Sequence, residues 1–347
     1  MLSLPSIPEP DQKAALAAHQ RQDQLTKPTG SLGCLEDLSI QIAAMTGLIR
    51  PALERKAVIV MAADHGVAIE GVSAYPAEVT PQMVLNFLHG GAAINVLARL
   101  AGARVVIVDI GVAYDFENLP GLVRRKVAHG TQNMTKGPAM SRYQAEQAVQ
   151  VGIDIVEEEI AKGLDLAATG DMGIGNTTAS SAITAVFTGL PVAQVTGRGT
   201  GVDDAGLKRK IAIIERAIQV NHPDPKDALD VLAKVGGLEI AGLAGVVIGA
   251  AAHRVPIVVD GFISGAAALV AAELLPAVRP YLIASHQSVE AGHQAIYTRL
   301  GLRPLLDLGM RLGEGTGSAL AFNLVEASVR LLNEMATFEE AAVSDHL

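Results

Sequence analysis

The sequence predicts an α/β fold: a doubly wound, mostly parallel sheet with helices on both faces, plus a small helical domain from both chain termini. Two patterns carry this expectation. Short, wholly apolar runs ending in Asp, Ser or Thr alternate with Ala-rich helical stretches, and strands apolar on both sides belong to a sheet covered on both faces. Hydrophobic residues make up 50% of the 347 positions but aromatics only 3%, a palette suited to Ala-rich helices packed on Val/Ile strands.

Residues 11–25 and 35–48 read as helices. Lys56-Ala-Val-Ile-Val-Met-Ala-Ala-Asp64 reads as the first strand, followed by a helix over 80–100. Arg104-Val-Val-Ile-Val-Asp109 is a second strand; a helix over 143–162 then leads into Leu164-Asp-Leu-Ala-Ala-Thr169. Val255-Pro-Ile-Val-Val-Asp260 and Tyr281-Leu-Ile-Ala-Ser285 complete the set, each with a helix behind it. Residues 318–335 read as the last helix, and 337–347 as an acidic tail that frays. Residues 1–30 with 320–347 are expected to form the small helical domain, and 31–319 the large Rossmann-like one. In such sheets ligands sit beyond the carboxyl ends of the strands.

A formal charge of −9 argues against nucleic acid or an anionic membrane as partner, and the stacking platforms of single-strand binders are scarce. The opening MLSLPSIPEPDQKAALAAHQ lacks a basic n-region and an unbroken apolar core, so no signal peptide is expected. Residues 240–252 are too short, and 172–196 too rich in Gly and polar groups, to span a bilayer. Cys34 stands alone, which leaves no disulfide framework and no Cys-based zinc site and fits a cytoplasmic location.

Glycine-rich loops supply the chemical signal. Gly170-Asp171-Met-Gly173-Ile-Gly175-Asn176-Thr177-Thr178 follows a strand and opens a helix; Gly197-Arg-Gly199-Thr200-Gly201 and Gly313-Glu314-Gly315-Thr-Gly317-Ser318 come later. Glycine lets backbone N–H groups close on an anion, and a helix N-terminus adds positive potential. Each alone reads as a tight turn; together, rich in hydroxyl and amide groups, they point to phosphate. Neither a Walker loop nor a full G-x-G-x-x-G is present, so a triphosphate or NAD is not expected. Lys210 is either the cation for a monophosphate or a solvated surface lysine.

Glu314, isolated between glycines, is either a base with a raised pKa or a first-turn Glu complementing the helix dipole. Asp64, His65, Asp109 and Asp260 end strands, positions suited to holding ribose hydroxyls or a metal; His286 and His293 offer a weak metal pair on one helix face. The stretch from Ser73 and Tyr75 to Gln82 and Met83 mixes an aromatic ring, a thioether and polar tips suited to a flat heterocycle, with Thr80 as a helix cap.

Through these segments the chain resembles the nicotinate-nucleotide–dimethylbenzimidazole phosphoribosyltransferases of cobalamin biosynthesis. The resemblance runs through Leu25-Thr-Lys-Pro-Thr-Gly-Ser-Leu-Gly33, Ala63-Asp-His-Gly66, Ser73-Ala-Tyr-Pro76, Asn86-Phe-Leu-His-Gly-Gly-Ala-Ala-Ile-Asn95, Met172–Thr178, Asp260–Gly265, Ser285-His286 and Gly313–Gly317. It implies a homodimer, no metal, no organic cofactor, and small-molecule substrates: nicotinate mononucleotide and a benzimidazole base. Glu314 maps onto the family's catalytic base. Gly173, Gly175, Asn176, Thr177, Thr178, Gly199, Thr200, Gly201, Lys210, Ser288 and Gly315 are the expected phosphoribosyl set; Ser73, Tyr75, Gln82, Met83 and Leu312 are the expected base set. Asp171 stands where members often have Glu, as a second carboxylate. The same scaffold would also serve a nucleotide hydrolase, which needs a positioned water, or a non-catalytic nucleotide sensor, which tolerates loss of Glu314.

Overall fold

The computed structural model describes residues 2–344. Its centre is a six-stranded sheet in the order β3-β2-β1-β4-β5-β6: β1 Lys56–Ala63, β2 Ala103–Gly111, β3 Leu122–Arg124, β4 Leu166–Met172, β5 Ile257–Val259 and β6 Leu282–Ala284. Every neighbouring pair is parallel. The strand order reverses between β1 and β4, so the crevice where such sheets bind ligands opens above that pair.

The all-apolar strands are explained by cover on both sides. Met61 packs on Gly242 of the helix Leu238–Ala252, whereas Val58 packs on Gly315 at the start of the helix Thr316–Glu334. Positions 58 and 61 point to opposite faces of a strand, so the two helices lie on opposite sides of the sheet. Leu238–Ala252 also crosses the helix Arg142–Ala161 at backbone contact: a Cβ at Gly152 would overlap the carbonyl of Gly242, and one at Gly245 that of Val149.

Several boundaries differ from expectation. β4 runs on through Gly170 and Asp171, so the first glycine loop starts later than the sequence suggests. A Cβ at Gly170 would meet the backbone of Glu314, and that close approach, not a turn, explains this glycine. β3 was not expected; Leu-Val-Arg is too short to show a period. Residues 80–100 form two helices, Val79–Leu88 and Ala93–Leu100. Gly90 at φ +75° turns the chain. Asn95 clips the break, accepting from Ala92 N at 3.1 Å and donating to Phe87 O at 3.0 Å. The stretch Val79–Leu100 has the length and hydropathy of a membrane span by composition alone. The break leaves helices of 10 and 8 residues, each shorter than the roughly 20 residues a span requires.

At the chain ends the helix Gln12–Gln24 packs between Cys34–Thr46 and the end of Thr316–Glu334, with Ala18, Ala43 and Leu332 in a small apolar cluster. Arg21 donates to the carbonyls of Leu332 and Met335. The tail expected to fray is tied instead: Leu25 pairs with Thr337, and Phe338 N donates to Gln24 O at 2.9 Å. Residues 345–347 of that tail lie outside the described residues.

The Gly152 crossing makes a direct test of the packing. Gly152→Ala is expected to destabilise the fold by about 1–3 kcal/mol, the usual range for overpacking, read as a lowered urea midpoint. A Gly→Ala control such as Gly137→Ala, where nothing lies near the added methyl, should not share that loss.

Candidate active site

Beyond the carboxyl end of β4 the chain turns at Gly173 and Gly175 and enters the helix Asn176–Thr188. Its N-terminus opens on a cavity of about 490 Å3, with Gly173, Ile174, Asn176 and Thr177 in the wall. Lys210, on the helix Asp204–Asn221, is wholly buried and donates to Thr177 Oγ1 at 2.7 Å. Burial lowers its ammonium to about 8, against the opposing charge of Glu290. Lys210 is not itself in the wall; it stands behind Thr177, so that a buried cation backs the helix N-terminus, an arrangement that can receive an anion. Ser288 lies in the same wall, its turn fixed where Ser288 N donates to His293 Nδ1 at 2.9 Å.

Other members of the expected phosphoribosyl set are placed differently. Thr178 is buried in the core, Gly175 lies behind the wall as the helix cap at φ +99°, and Gly201 is exposed; none of the three lines the cavity. Asn176 Nδ2 donates to Asp171 Oδ2 at 3.1 Å, which uses the amide to hold a carboxylate. Gly199 lines the cavity, yet its N–H goes to Glu290 Oε1 at 2.9 Å. The Gly197–Gly201 loop is thus organised around a carboxylate and does not offer that amide to a ligand. Thr200 joins the two expected sets: its Oγ1 lies 3.0 Å from Ser73 Oγ and accepts from Ala74 N at 2.9 Å.

On the other side, Tyr75, Met83 and Leu312 line the cavity together with Val79, Met172 and Phe262. Gln82 does not. It sits one residue before Met83, about 100° round the helix, and is exposed. Ser73 is likewise outside the wall and reaches it through Thr200 and through Tyr75, whose N–H donates to Ser73 Oγ at 3.1 Å. Thr80 is not the helix cap, because the helix begins at Val79; buried, its Oγ1 accepts from Ile174 N at 3.1 Å and fixes the first glycine loop.

Glu314 lies in the wall between these two sides. Its backbone is in the left-handed region at φ +64°, an uncommon state for a non-glycine residue. Its Oε2 accepts from Ile94 N at 3.4 Å, in the first turn of Ala93–Leu100, so the break at Gly90 aims a helix N-terminus at the carboxylate. Burial raises its carboxyl above the ordinary range, the Ile94 N–H draws it back, and the charge of Asp260 pushes it up again. Gly315 is not in the wall; its N–H donates to Asp260 Oδ2 at 3.1 Å. Asp171, buried with Oδ1 unpartnered, is pushed well above its ordinary range by burial and by the charges of Asp260, Glu239 and Glu314. It lines the cavity with its proton held more tightly than an ordinary carboxyl holds one.

The strand-end residues offered for ribose or metal have structural partners. Asp109 accepts from Val112 N and pairs with Lys126 at 3.2 Å. Asp64 accepts from Ala113 N at 2.8 Å. His65 Nε2 meets Glu239 Oε1 at 2.6 Å, both buried; burial opposes protonation of this histidine, but Glu239 outweighs it and raises the pKa. Asp64 and His65 line a separate cavity that shares Tyr75. His286 precedes the helix Ala291–Leu300 that carries His293, so the two do not share a helix face. Among the described residues no group of three or more His, Cys, Asp or Glu is placed to hold a metal ion. Sequence reasoning missed Glu290, Arg311 and the Ile94 amide. Only the last left a trace, the Gly90-Gly91 step within an apolar helical run.

A phosphoribosyltransferase family model matches residues 7–343. The chain belongs to this phosphoribosyltransferase family. Among its relatives, the nicotinate-nucleotide–dimethylbenzimidazole phosphoribosyltransferase of Chloroflexus aggregans is 66% identical, covering 96% of this chain and 95% of that protein. The protein of the same name from Geobacter sulfurreducens is 58% identical over the same shares. The crystal structure of the Thermus thermophilus protein of that name superposes with a TM-score of 0.92 at 48% identity, covering 97% of this chain and 100% of that one. A phosphoribosyltransferase must hold a phosphate, which suits the helix N-terminus at Asn176 and Thr177 with Lys210 behind it.

Because burial brings Lys210 down to about 8, its ammonium form is lost as pH rises past that value, which makes an anion-binding role testable. Affinity for inorganic phosphate should fall above about pH 8 in the wild type, followed by calorimetry. Lys210→Ala should bind weakly at neutral pH and show no further drop; a drop of the same size in both would place the titrating group elsewhere.

Proposed function

We propose that the enzyme transfers the phosphoribosyl group of nicotinate mononucleotide to 5,6-dimethylbenzimidazole, giving α-ribazole 5′-phosphate and nicotinate, by displacement at C1 with inversion. The observation that carries this reading is a single cavity whose wall joins a helix N-terminus backed by a buried cation, the apolar side chains of Val79, Met83 and Leu312, and a carboxylate of raised proton affinity. The relatives' shared name supports the choice of substrates.

The chemistry needs one base. Nicotinate leaves with its own pyridinium nitrogen, whose positive charge is neutralised by the electron pair of the broken C1–N bond, so its departure requires no proton. The benzimidazole attacks C1 through its imine-type nitrogen and would become cationic unless the other nitrogen lost its proton. Glu314 takes that proton, and no second carboxylate acts as leaving-group acid, in contrast to glycosidases. Lys210, Thr177 and Ser288 hold the phosphate; Tyr75, Met83 and Leu312 hold the acceptor ring. A hydrolase would need an ordered water beside the base, whereas the wall that holds Glu314 also carries the apolar Val79, Met83 and Leu312. A sensor would have no use for a carboxylate held at φ +64°.

We also infer a homodimer working in the cytoplasm without nucleic acid or membrane partners, in keeping with the charge of −9. Residues 1–30 with 320–347 are proposed as the small domain and 31–319 as the large one. The packing of Gln12–Gln24 on the end of Thr316–Glu334 supports this, and Cys34–Thr46 bridges the two.

Glu314→Gln keeps size and one acceptor but cannot take the proton. Its turnover with both substrates should fall by about 10² to 10⁴, with nicotinate mononucleotide binding little changed. The wild-type rate should decline on the acid side as Glu314 protonates, at a pH above that of an ordinary carboxylate, and the variant should lose that limb. Near-normal turnover with the limb intact would sink the assignment.

The acceptor pocket is tested by a pair. Met83→Ala should raise the KM for dimethylbenzimidazole more than that for nicotinate mononucleotide, while Gln82→Ala, on the exposed face, should leave both near wild type. The reverse ranking in initial-rate kinetics would mean that the helix Val79–Leu88 turns its other face to the acceptor.

A further inference from the structure

Asp260, at the tip of β5, does not line the cavity, although its neighbours Gly261 and Phe262 do. It is fully buried, and both its oxygens are committed to the loop that carries Glu314. Oδ2 accepts from Gly315 N at 3.1 Å and Oδ1 from Ser318 N at 3.0 Å. These amides follow Glu314 and open the helix Thr316–Glu334. The helix therefore takes its N-terminal cap not from its own preceding residue, a glycine with no side chain, but from a strand across the site.

We propose that Asp260 is the positioning residue of Glu314: it clamps the Gly313–Gly317 loop in the shape that turns Glu314 into the cavity, and it sets a fixed negative charge behind that carboxylate. This rests on the reading of Glu314 as the base. The clamp is needed because the loop holds Glu314 at φ +64°, a conformation that persists only when its surroundings over-determine it. The loop has little room to relax otherwise. A Cβ at 317 would overlap the His286 ring, and a Cβ at 315 would strike Val58.

The charged and titratable groups around the pair are few. From the strands come Asp171 and Asp260; from Ala93–Leu100 comes only the Ile94 N–H, on Glu314 itself. From beyond β6, His286 Nδ1 lies 3.9 Å from Asp260 Oδ1, and Tyr297 on Ala291–Leu300 donates to the carbonyls of Asp260 and His286. Burial raises the Asp260 carboxyl, while His286 and the N–H groups of Ser318, Gly261 and Gly315 hold the anion against it. Burial is the main cause of the raised Glu314 carboxyl, the Ile94 N–H opposes it, and the Asp260 charge adds to it, the one neighbouring charge among the described residues that acts on it.

Removing that charge lowers the proton affinity of Glu314, so the acid limb of the rate must move to lower pH. Asp260→Asn also leaves one of the two amides facing an NH2 group. Its kcat should fall, on the order of 10² for a displaced reacting group, with the KM for nicotinate mononucleotide near wild type because Asp260 touches no part of the cavity. Asp260→Glu keeps the charge and changes the reach. Its kcat should fall with the acid limb in place. A wild-type kcat in Asp260→Glu overturns the clamp, and decides it if Asp260→Asn does not fold. A limb that does not move in folded Asp260→Asn overturns the charge. Both results are read against Glu314→Gln: a limb that survives there refutes Glu314 as base, whereas a limb lost there but unmoved in Asp260→Asn refutes this inference alone.

Discussion

The site depends on how closely the start of the last long helix approaches the end of the sheet. Gly315 rests on Val58 of β1, Gly170 of β4 on the Glu314 backbone, and Gly317 on the His286 ring. Side chains at these positions would hold the helix away and draw Glu314 out of the cavity wall. Contact this close excludes water from the loop, so its backbone N–H groups must find partners inside the protein. Asp260 supplies them. One steric condition thereby fixes the placement of the proposed base, the strained backbone beneath it and the burial that raises its proton affinity.

Placing so many carboxylates around one anion-binding cavity looks unfavourable until each is followed to its partners. Glu290 holds the Gly199 amide, Glu239 holds His65, and Asp260 holds two amides of the helix start. Backbone N–H groups and an imidazole stabilise these anions without bringing in solvent. Among the described residues Asp171 has the Asn176 amide as its hydrogen-bond partner and an unpartnered Oδ1, and burial with the neighbouring charges pushes its carboxyl well above the ordinary range. Among the described residues, buried Lys210 has a hydroxyl as its hydrogen-bond partner, Thr177 of the cavity wall, and forms no ion pair. Its charge stands behind the place proposed for the phosphate.

This explains which parts of the architecture are legible in the sequence. Strand runs such as 56–63 and 103–111 declare themselves because a buried parallel strand needs apolar residues on both faces. The glycine loops declare that backbone must come close to something, but not to what. Of the three, Gly173–Thr177 opens on the cavity, Gly197–Gly201 closes round Glu290, and Gly313–Gly317 is pressed against the sheet. Asp260 and His286 stand out as strand-end polar residues, and their actual partners lie on elements far along the chain. Such partners are set by tertiary contact, which no local pattern encodes. Gln82 fails for a simpler reason: one residue of helix rotation separates it from Met83, and a mixed loop-to-helix stretch carries no phase.

The remaining polar contacts divide into two kinds. Those beneath the cavity, from Thr80 to Ile174, His293 to Ser288 and Asp260 to the Glu314 loop, are buried on all sides and fix geometry whether or not a ligand is present. Those across its mouth are exposed or half-buried: Thr200 to Ser73 and Ala74, and Arg311 to the Gly199 carbonyl at 3.1 Å. Water competes for the second kind and not for the first, so opening them costs little. A transferase that must admit two ring systems and release two needs this asymmetry. The floor, where protons and charge are positioned, is rigid because its polar groups have no alternative partners, and the rim is free to part because its groups do.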